Sequence, residues 1–175
     1  MNLDGETLLK GSLLWHSLSE ANMEQSNMTA VLSFLEGKGT DHRGRSLKSI
    51  QSESDQCWSE EHDFIQWLFP LAEESLSVPG SPTLTPKAID ALRFSVAAKT
   101  SIVGSGDWYT AFLSRKSHWK AKYDHNHLRI TRAIKALRLL VSEDEANRFR
   151  DGVFALLGDD ADLIDEKARS FWLTA

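Results

Sequence analysis

With a single cysteine, Cys57, in 175 residues, the chain cannot form an intramolecular disulfide. That suits a reducing compartment, because secreted domains of this size usually carry paired cysteines, and a cytoplasmic location is expected. Long apolar runs are missing too: no segment approaches the roughly 18 residues of a membrane span, and Asp4 and Glu6 stand where a signal peptide needs positive charge. Neither export nor membrane insertion is expected. Proline is scarce, and three of the four crowd into LAEESLSVPGSPTLTP, which leaves most of the chain free of the residue that breaks helices. No sustained period-2 alternation appears, which removes the sheet-based classes. There is no nucleophile elbow, phosphate loop, dinucleotide fingerprint, HExxH or cysteine cluster; the fragments GKG and GSG lack the strand and helix context such motifs require. No cofactor is expected.

What is present is apolar residues at helical spacing. A hydrophobic content of 41% with 26% charged residues is enough for one core. The pattern predicts an all-α fold, a compact single-domain bundle of about six to eight helices around a central aromatic-rich helix. An N-terminal helix over Glu6 to Glu24, buried through Leu9, Leu13 and Leu18, would form a variable first region (1–26). The main helical domain would fill 27–175. Asn27 is placed to cap a helix with Val31, Leu32 and Leu35 that ends at Gly37. GKGTDHRGRSL marks a loop, and a helix from about Asp55 to Phe69 is stopped by Pro70. Past the proline-rich connection, where Leu71, Leu76 and Val78 can dock on the core, Thr85 and Pro86 form a start signal. That helix, with Ile89, Leu92 and Val96, fades near Gly104, and Asp107 starts another carrying Trp108, Phe112 and Trp119. DHNHLRITRAIKALRLLV is the most regular helix. Ser142 and Glu145 make a capping box before Phe149, Val153 and Leu156, Gly158 closes that helix, and a last one from about Asp160 buries Leu163, Ile164, Ala168 and Trp172.

The net charge of −5 conceals an asymmetry. Residues 1–92 carry 6 Lys/Arg against 14 Asp/Glu, residues 93–138 carry 10 against 2, and residues 139–175 carry 4 against 9. A basic island of this kind can meet nucleic acid or an anionic ligand, or be neutralised by acidic helices of the same fold; the near-cancelling flanks favour neutralisation.

Two stretches concentrate chemistry. In HDFIQWLFP, Trp58, His62, Ile65 and Phe69 share one helical stripe, so His62 is expected on a core-facing line, where a satisfied buried histidine is the plain alternative to a functional one. In DHNHLRITR, Ile130, Ala133, Ile134, Leu137, Leu140 and Val141 form an apolar arc with Arg132, Lys135 and Arg138 opposite, and with Arg129 and His127 on its borders. Asp124 or Asn126 is placed to cap this helix, whose first turn also offers free N–H groups to an anion. His125 and His127 point about 200 degrees apart on a helix and make a poor metal pair, so no metal is expected.

Three matches carry a resemblance. FLEGKGTDHRGRSL (34–47), EHDFIQWLFPL (61–71) and HNHLRITRAIKAL (125–137) resemble the conserved N-terminal region of the opioid growth factor receptor family, and PTLTPKAI resembles its entry into a helix. The resemblance spans about residues 31–157 and departs over 93–123. It implies a compact helical domain, opioid-peptide binding and growth regulation, and it transfers Asp41, Gly44 and Arg45, then His62, Gln66 and Trp67, then His125, Asn126, Arg129 and Arg132 as motif residues.

The leading functional expectation is a module that binds a peptide or small anionic ligand in one pocket, walled by Trp67 and Trp108 and floored by His62, Gln66, Asn126 and Arg129. His125 and Arg132 join it, and Arg129 with Arg45 would fix the anion. A second is an enzyme, for example on a phosphoester, with His62 or His127 as acid/base and Arg129 steadying charge. A third is nucleic-acid binding through Arg115, Lys116, Lys120, Lys122, Arg132, Lys135 and Arg138, interleaved with Trp119 and Tyr123. The plain alternative to all three is that these polar groups only hold helices together.

Overall fold

The computed structural model describes residues 25–75 and 78–175, and the expected first helix over Glu6 to Glu24, together with Leu76, lies outside them. Among the described residues there are nine α-helices and one 3-10 helix, joined by turns, with a single isolated β-bridge between Leu71 and Thr83. The order is α1 (25–35), α2 (Leu47–Ser52), α3 (Asp55–Glu60), α4 (Ile65–Leu68), α5 (Pro86–Phe94), α6 (Val96–Ser114), α7 (His125–Leu140), α8 (Glu143–Leu157), the 3-10 turn Gly158–Leu163, and α9 (Glu166–Thr174). The fold is all-α, as the periodicity predicts.

The centre of the molecule is α7. It packs along α8 and is crossed by α5, α6 and α9, and its apolar arc of Ile130, Ala133, Ile134, Leu137 and Leu140 is sealed from solvent. Helix α6 lies against α8 where a Cβ on Gly106 would stand 3.5 Å from Phe149 and 3.6 Å from Leu137. A side chain there would thus begin in ordinary contact with both neighbouring helices, and the glycine sits inside α6 without ending it. Around this crossing, Trp58, Phe64, Trp108, Tyr109, Phe112 and Phe149 form a continuous aromatic cluster with centroids 3.8 to 6.4 Å apart.

Several signals act as expected. Thr85 caps α5 ahead of Pro86, Ser142 caps α8 by accepting from the Glu145 N–H, and Gly37 follows α1 with φ 72°. Four expectations are corrected. Asn27 sits inside α1, not at its cap. The helix from Pro86 does not run to Gly104 but ends at Phe94, because Ser95 leaves helical geometry; there it closes α5 and accepts from the Ala98 N–H to start α6. Asp107 starts nothing, since α6 runs through it to Ser114. Before α9, residues 158–163 form a 3-10 turn, which leaves Leu163 exposed while Ile164 and Trp172 are buried.

The fifth correction shapes the site. The segment expected as one helix from Asp55 to Phe69 is two short helices, α3 and α4, separated by a turn at Glu61–Phe64. With the stripe broken, His62 is exposed rather than core-facing, while Phe64 to Phe69 remain buried.

Candidate ligand-binding cleft

The break in the aromatic segment and the start of α7 are one structural unit. Interrupting a helix frees backbone carbonyls that need partners. Arg129, reaching back from the first turn of α7, supplies them. Its Nη1 donates to the Trp58 carbonyl at 2.9 Å and its Nη2 donates to the Glu61 carbonyl. Nη2 also lies 3.0 Å from His62 Nδ1, and the guanidinium carbon stands 5.1 Å from the centroid of the Phe64 ring. Behind it, Asn126 is fully buried: its Oδ1 accepts from the Tyr109 hydroxyl at 2.9 Å and faces Arg129 Nη1 at 3.5 Å, and its amide donates to the Asp124 carboxylate at 2.8 Å. Asp124 also caps α7 by accepting from the Asn126 N–H at 2.8 Å. Burial drives the Tyr109 phenol well above its ordinary range, so it remains a neutral donor.

On the solvent side this unit borders a cleft of about 320 Å³ lined by His62, Gln66, Ser75, His125, Arg129 and Arg132, with Leu128 and Glu74 at its mouth. The His62 and His125 rings meet edge to face at 5.4 Å. Gln66 Nε2 donates to Ser75 Oγ at 3.1 Å, but its buried Oε1 has no partner. Arg132 Nε donates to the Phe69 carbonyl at 2.9 Å, and its buried Nη2 likewise has none.

The electrostatics are unusual. Neither Arg129 nor Arg132 makes an ion pair with a carboxylate among the described residues; their protein hydrogen bonds go to carbonyls, an imidazole and an amide. Burial lowers both guanidinium pKa values, opposed for Arg129 by Tyr109 and Asp124 and for Arg132 by Glu73. Burial, then the Arg129 charge, also lowers the His125 pKa, against the opposing pull of Asp124. Both cations are thus desolvated within the fold, and the carboxylates that act on them, Asp124 and Glu73, do so without ion-pair contact.

Five of the nine residues singled out in the sequence line this cleft: His62, Gln66, His125, Arg129 and Arg132. Asn126 braces it from inside the core. Trp67 and Trp108 do not wall it. Trp67 packs edge-on against Phe34 and donates to His42 Nδ1 at 3.1 Å, and Trp108 donates to the Gln51 carbonyl at 3.0 Å within the aromatic cluster. Arg45 is also elsewhere, bound to Asp41 at 2.7 Å and Asp63 at 2.8 Å and facing Glu61 at 3.3 Å. Its place is nonetheless connected, since Arg45, with Arg43, clamps the Glu61–Asp63 turn that presents His62 and the Glu61 carbonyl to Arg129. Ile65, Glu74, Ser75 and Leu128 also line the cleft and were not singled out as site residues in the sequence; Glu74 and Ser75 follow the break at Pro70, where no motif marks them.

The remaining alternatives also have definite places. His127 is buried, donates through Nε2 to the Trp119 carbonyl at 2.9 Å and meets the Trp172 ring, so its ring is committed to packing. The basic island is largely neutralised internally: Arg115 and Lys116 pair with Asp55, Lys120 with Asp160, Lys135 with Glu73 and Arg138 with Glu143. Trp119 is sealed in the core and unavailable to stack on a base. Among the described residues no group of three or more His, Cys, Asp or Glu side chains could hold a metal, and no helix is long and apolar enough to cross a membrane.

Fold and site together define an all-α domain in which a broken aromatic helix is bolted to a central helix by a buried arginine, with a cation-lined cleft at the joint. The chain belongs to the opioid growth factor receptor family: the family model described as the opioid growth factor receptor (OGFr) conserved region matches residues 24–149, well over half of the chain, and includes every cleft residue named above. No curated protein and no solved structure matches it.

Proposed function

We propose that this receptor-family domain is a binding module whose cleft takes the anionic group of a small molecule or peptide. The observation that supports it is the pair of buried Arg129 and half-buried Arg132 on one cleft, neither with a carboxylate ion-pair partner among the described residues, beside the unpartnered Arg132 Nη2 and Gln66 Oε1. A structural role alone would be served by neighbours that satisfy these atoms, because leaving a buried polar atom unpaired costs about 1 to 3 kcal/mol. Arg132 Nη2 is the free donor, and a carboxylate or phosphate oxygen is the matching acceptor. Glu74 at the mouth, with Asp124 near the Arg129 end, gives the cleft a mixed field that suits a single negative charge better than a polyanion.

The test is thermal unfolding during titration with sodium acetate and inorganic phosphate against a chloride control of equal ionic strength. Binding to the folded state raises the melting temperature saturably. The rise is expected in wild type and lost in Arg132→Gln. Equal responses in both proteins contradict the proposal.

Acid–base chemistry by His62 is the second reading. It is favoured by the position of His62, which lines the cleft with Nδ1 fixed by Arg129 and therefore, when neutral, with its proton on Nε2.

A further inference from the structure

Past His125 and Leu128 the cleft opens into a second hollow, of about 600 Å³, between the start of α7 and α9. Two aromatic rings line it from opposite sides of the chain: Tyr123, just before α7, and Phe171, on α9. They are 74% and 46% exposed, and among the other described Phe, Tyr and Trp side chains only Phe94 is comparably open to water. Aromatic rings contribute most when covered, so two left in water around one hollow form a surface that a flat partner would cover.

Building on the anion-binding reading above, we infer that cleft and hollow together hold one mononucleotide with a singly charged phosphodiester, a nucleoside 3′,5′-cyclic monophosphate. Its phosphate would lie on Arg132, its ribose 2′-hydroxyl on Gln66 Oε1 and its base against Tyr123 and Phe171. The polar end of the site offers donors to one anion. Arg132 Nη2 is buried and unpartnered, and a neutral His62, whose Nδ1 faces Arg129, carries its proton on Nε2. Glu74 at the cleft and Asp124 at the hollow disfavour a second negative charge, which separates a phosphodiester from a phosphate monoester. Gln66 Oε1 is an unpartnered acceptor in the same cleft, so the ligand must bring a donor as well as a charge. A simple carboxylate or a fatty acid brings none, whereas ribose brings a hydroxyl. The base, held away from the phosphate by the sugar, then has the aromatic hollow to enter, and Asp165 and Lys167 on its lining can meet both the donors and the acceptors of a base edge. A strand of nucleic acid is a poorer occupant, because Arg115, Lys116, Lys120, Lys135 and Arg138, which would track further phosphates, are paired with carboxylates of the fold.

The experiment is isothermal titration of the intact protein, at constant ionic strength, with the adenosine and guanosine 3′,5′-cyclic monophosphates. Adenosine, adenosine 5′-monophosphate, the 2′-deoxy form of the adenosine cyclic monophosphate and acetate run in parallel. One cyclic nucleotide at least is expected to bind tenfold or more tighter than adenosine, the 5′-monophosphate or acetate. The 2′-deoxy form is expected to bind at least fivefold more weakly than its parent, a difference that Gln66→Met abolishes. Phe171→Ala and Tyr123→Ala are expected to weaken the cyclic nucleotide at least fivefold while leaving acetate binding as in wild type, and Arg132→Gln to abolish both. If acetate binds and neither cyclic nucleotide binds tighter, the nucleotide assignment fails while the anion site stands. Adenosine or the 5′-monophosphate binding as well as the cyclic nucleotide overturns it, as does a 2′-deoxy form that binds as well as its parent. Nucleotide binding unaffected by both aromatic substitutions also overturns it, since the base then lies elsewhere. If neither acetate nor nucleotide binds, both readings fail.

Discussion

Arg129 Nη2 stands 3.0 Å from His62 Nδ1, joining two residues 67 positions apart in the chain. Because a guanidinium only donates, the histidine nitrogen facing it must accept, which fixes the tautomer of a neutral His62. The same guanidinium holds the carbonyls of Trp58 and Glu61, so one side chain both repairs a broken helix and orients an imidazole at the mouth of a cleft.

Removing that side chain should therefore be costly to the fold. Arg129→Ala leaves at least two backbone carbonyls without their donor, and an orphaned buried polar group costs about 1 to 3 kcal/mol, so a loss of roughly 2 to 5 kcal/mol is expected in urea unfolding. Arg129→Lys should recover little of it, since one ammonium lacks the fork that spans two carbonyls and an imidazole. A loss under about 1 kcal/mol in both variants would show that the carbonyls find other partners.

Gln66 should behave oppositely. Its Oε1 is buried and unpartnered, so Gln66→Met removes an unmet hydrogen bond along with the amide bonded to Ser75. The expected stability change is within about 1 kcal/mol of wild type in either direction. A variant that unfolds outright would mean that this amide serves the core rather than a ligand.

The Arg45 cluster predicts an acid-sensitive joint. Burial opposes ionisation of Asp63, but the hydrogen bond and charge of Arg45, with Arg43 and His42, outweigh it and hold the carboxyl below its ordinary value. A carboxylate depressed in the folded state stabilises above its unfolded pKa of about 3.9, and that contribution is lost as pH falls through the lower, folded value. Wild type should lose stability below about pH 4, and Asp63→Asn should flatten that part of the pH profile and reduce stability at pH 7. Urea unfolding between pH 2.5 and 7 measures both slopes.

His125 gives a second pH signature. Burial and Arg129 lower its pKa, so the folded state favours the neutral ring and stability declines as pH falls from the unfolded value of about 6.5 toward the folded one. An anion in the cleft favours the imidazolium. The His125 pKa followed by NMR should lie below 6.5 in the free protein and rise on saturation with acetate, and acetate should bind more tightly at pH 5.5 than at pH 8. An unchanged titration curve would place the anion elsewhere.

How far these features were legible in the sequence follows from whether their causes are local. Helix α7 was, because its signals are its own: Asp124 as cap and an unbroken apolar arc. The capping of α5 and α8 was legible for the same reason. The break at Glu61–Phe64 was not, because the group that compensates it, Arg129, comes from a distant helix, and periodicity alone favours continuing Asp55–Phe69. Of the site, the motif residues Gln66, Arg129 and Arg132 converge, whereas Trp67 and Trp108 sit where an aromatic side chain fits the core, a preference that composition does not separate from walling a pocket.

The central claim is that a guanidinium on this cleft takes an anion as its missing partner, and side-chain NMR of arginine-labelled protein tests it most directly. During titration with acetate at constant ionic strength, the Arg132 guanidinium and His125 imidazole resonances should shift together along one saturable curve, while the Trp67 indole signal, bound to His42 away from the cleft, stays fixed. Linear, parallel drift of Arg132 with the exposed Arg115, or no movement of Arg132 at all, would contradict it.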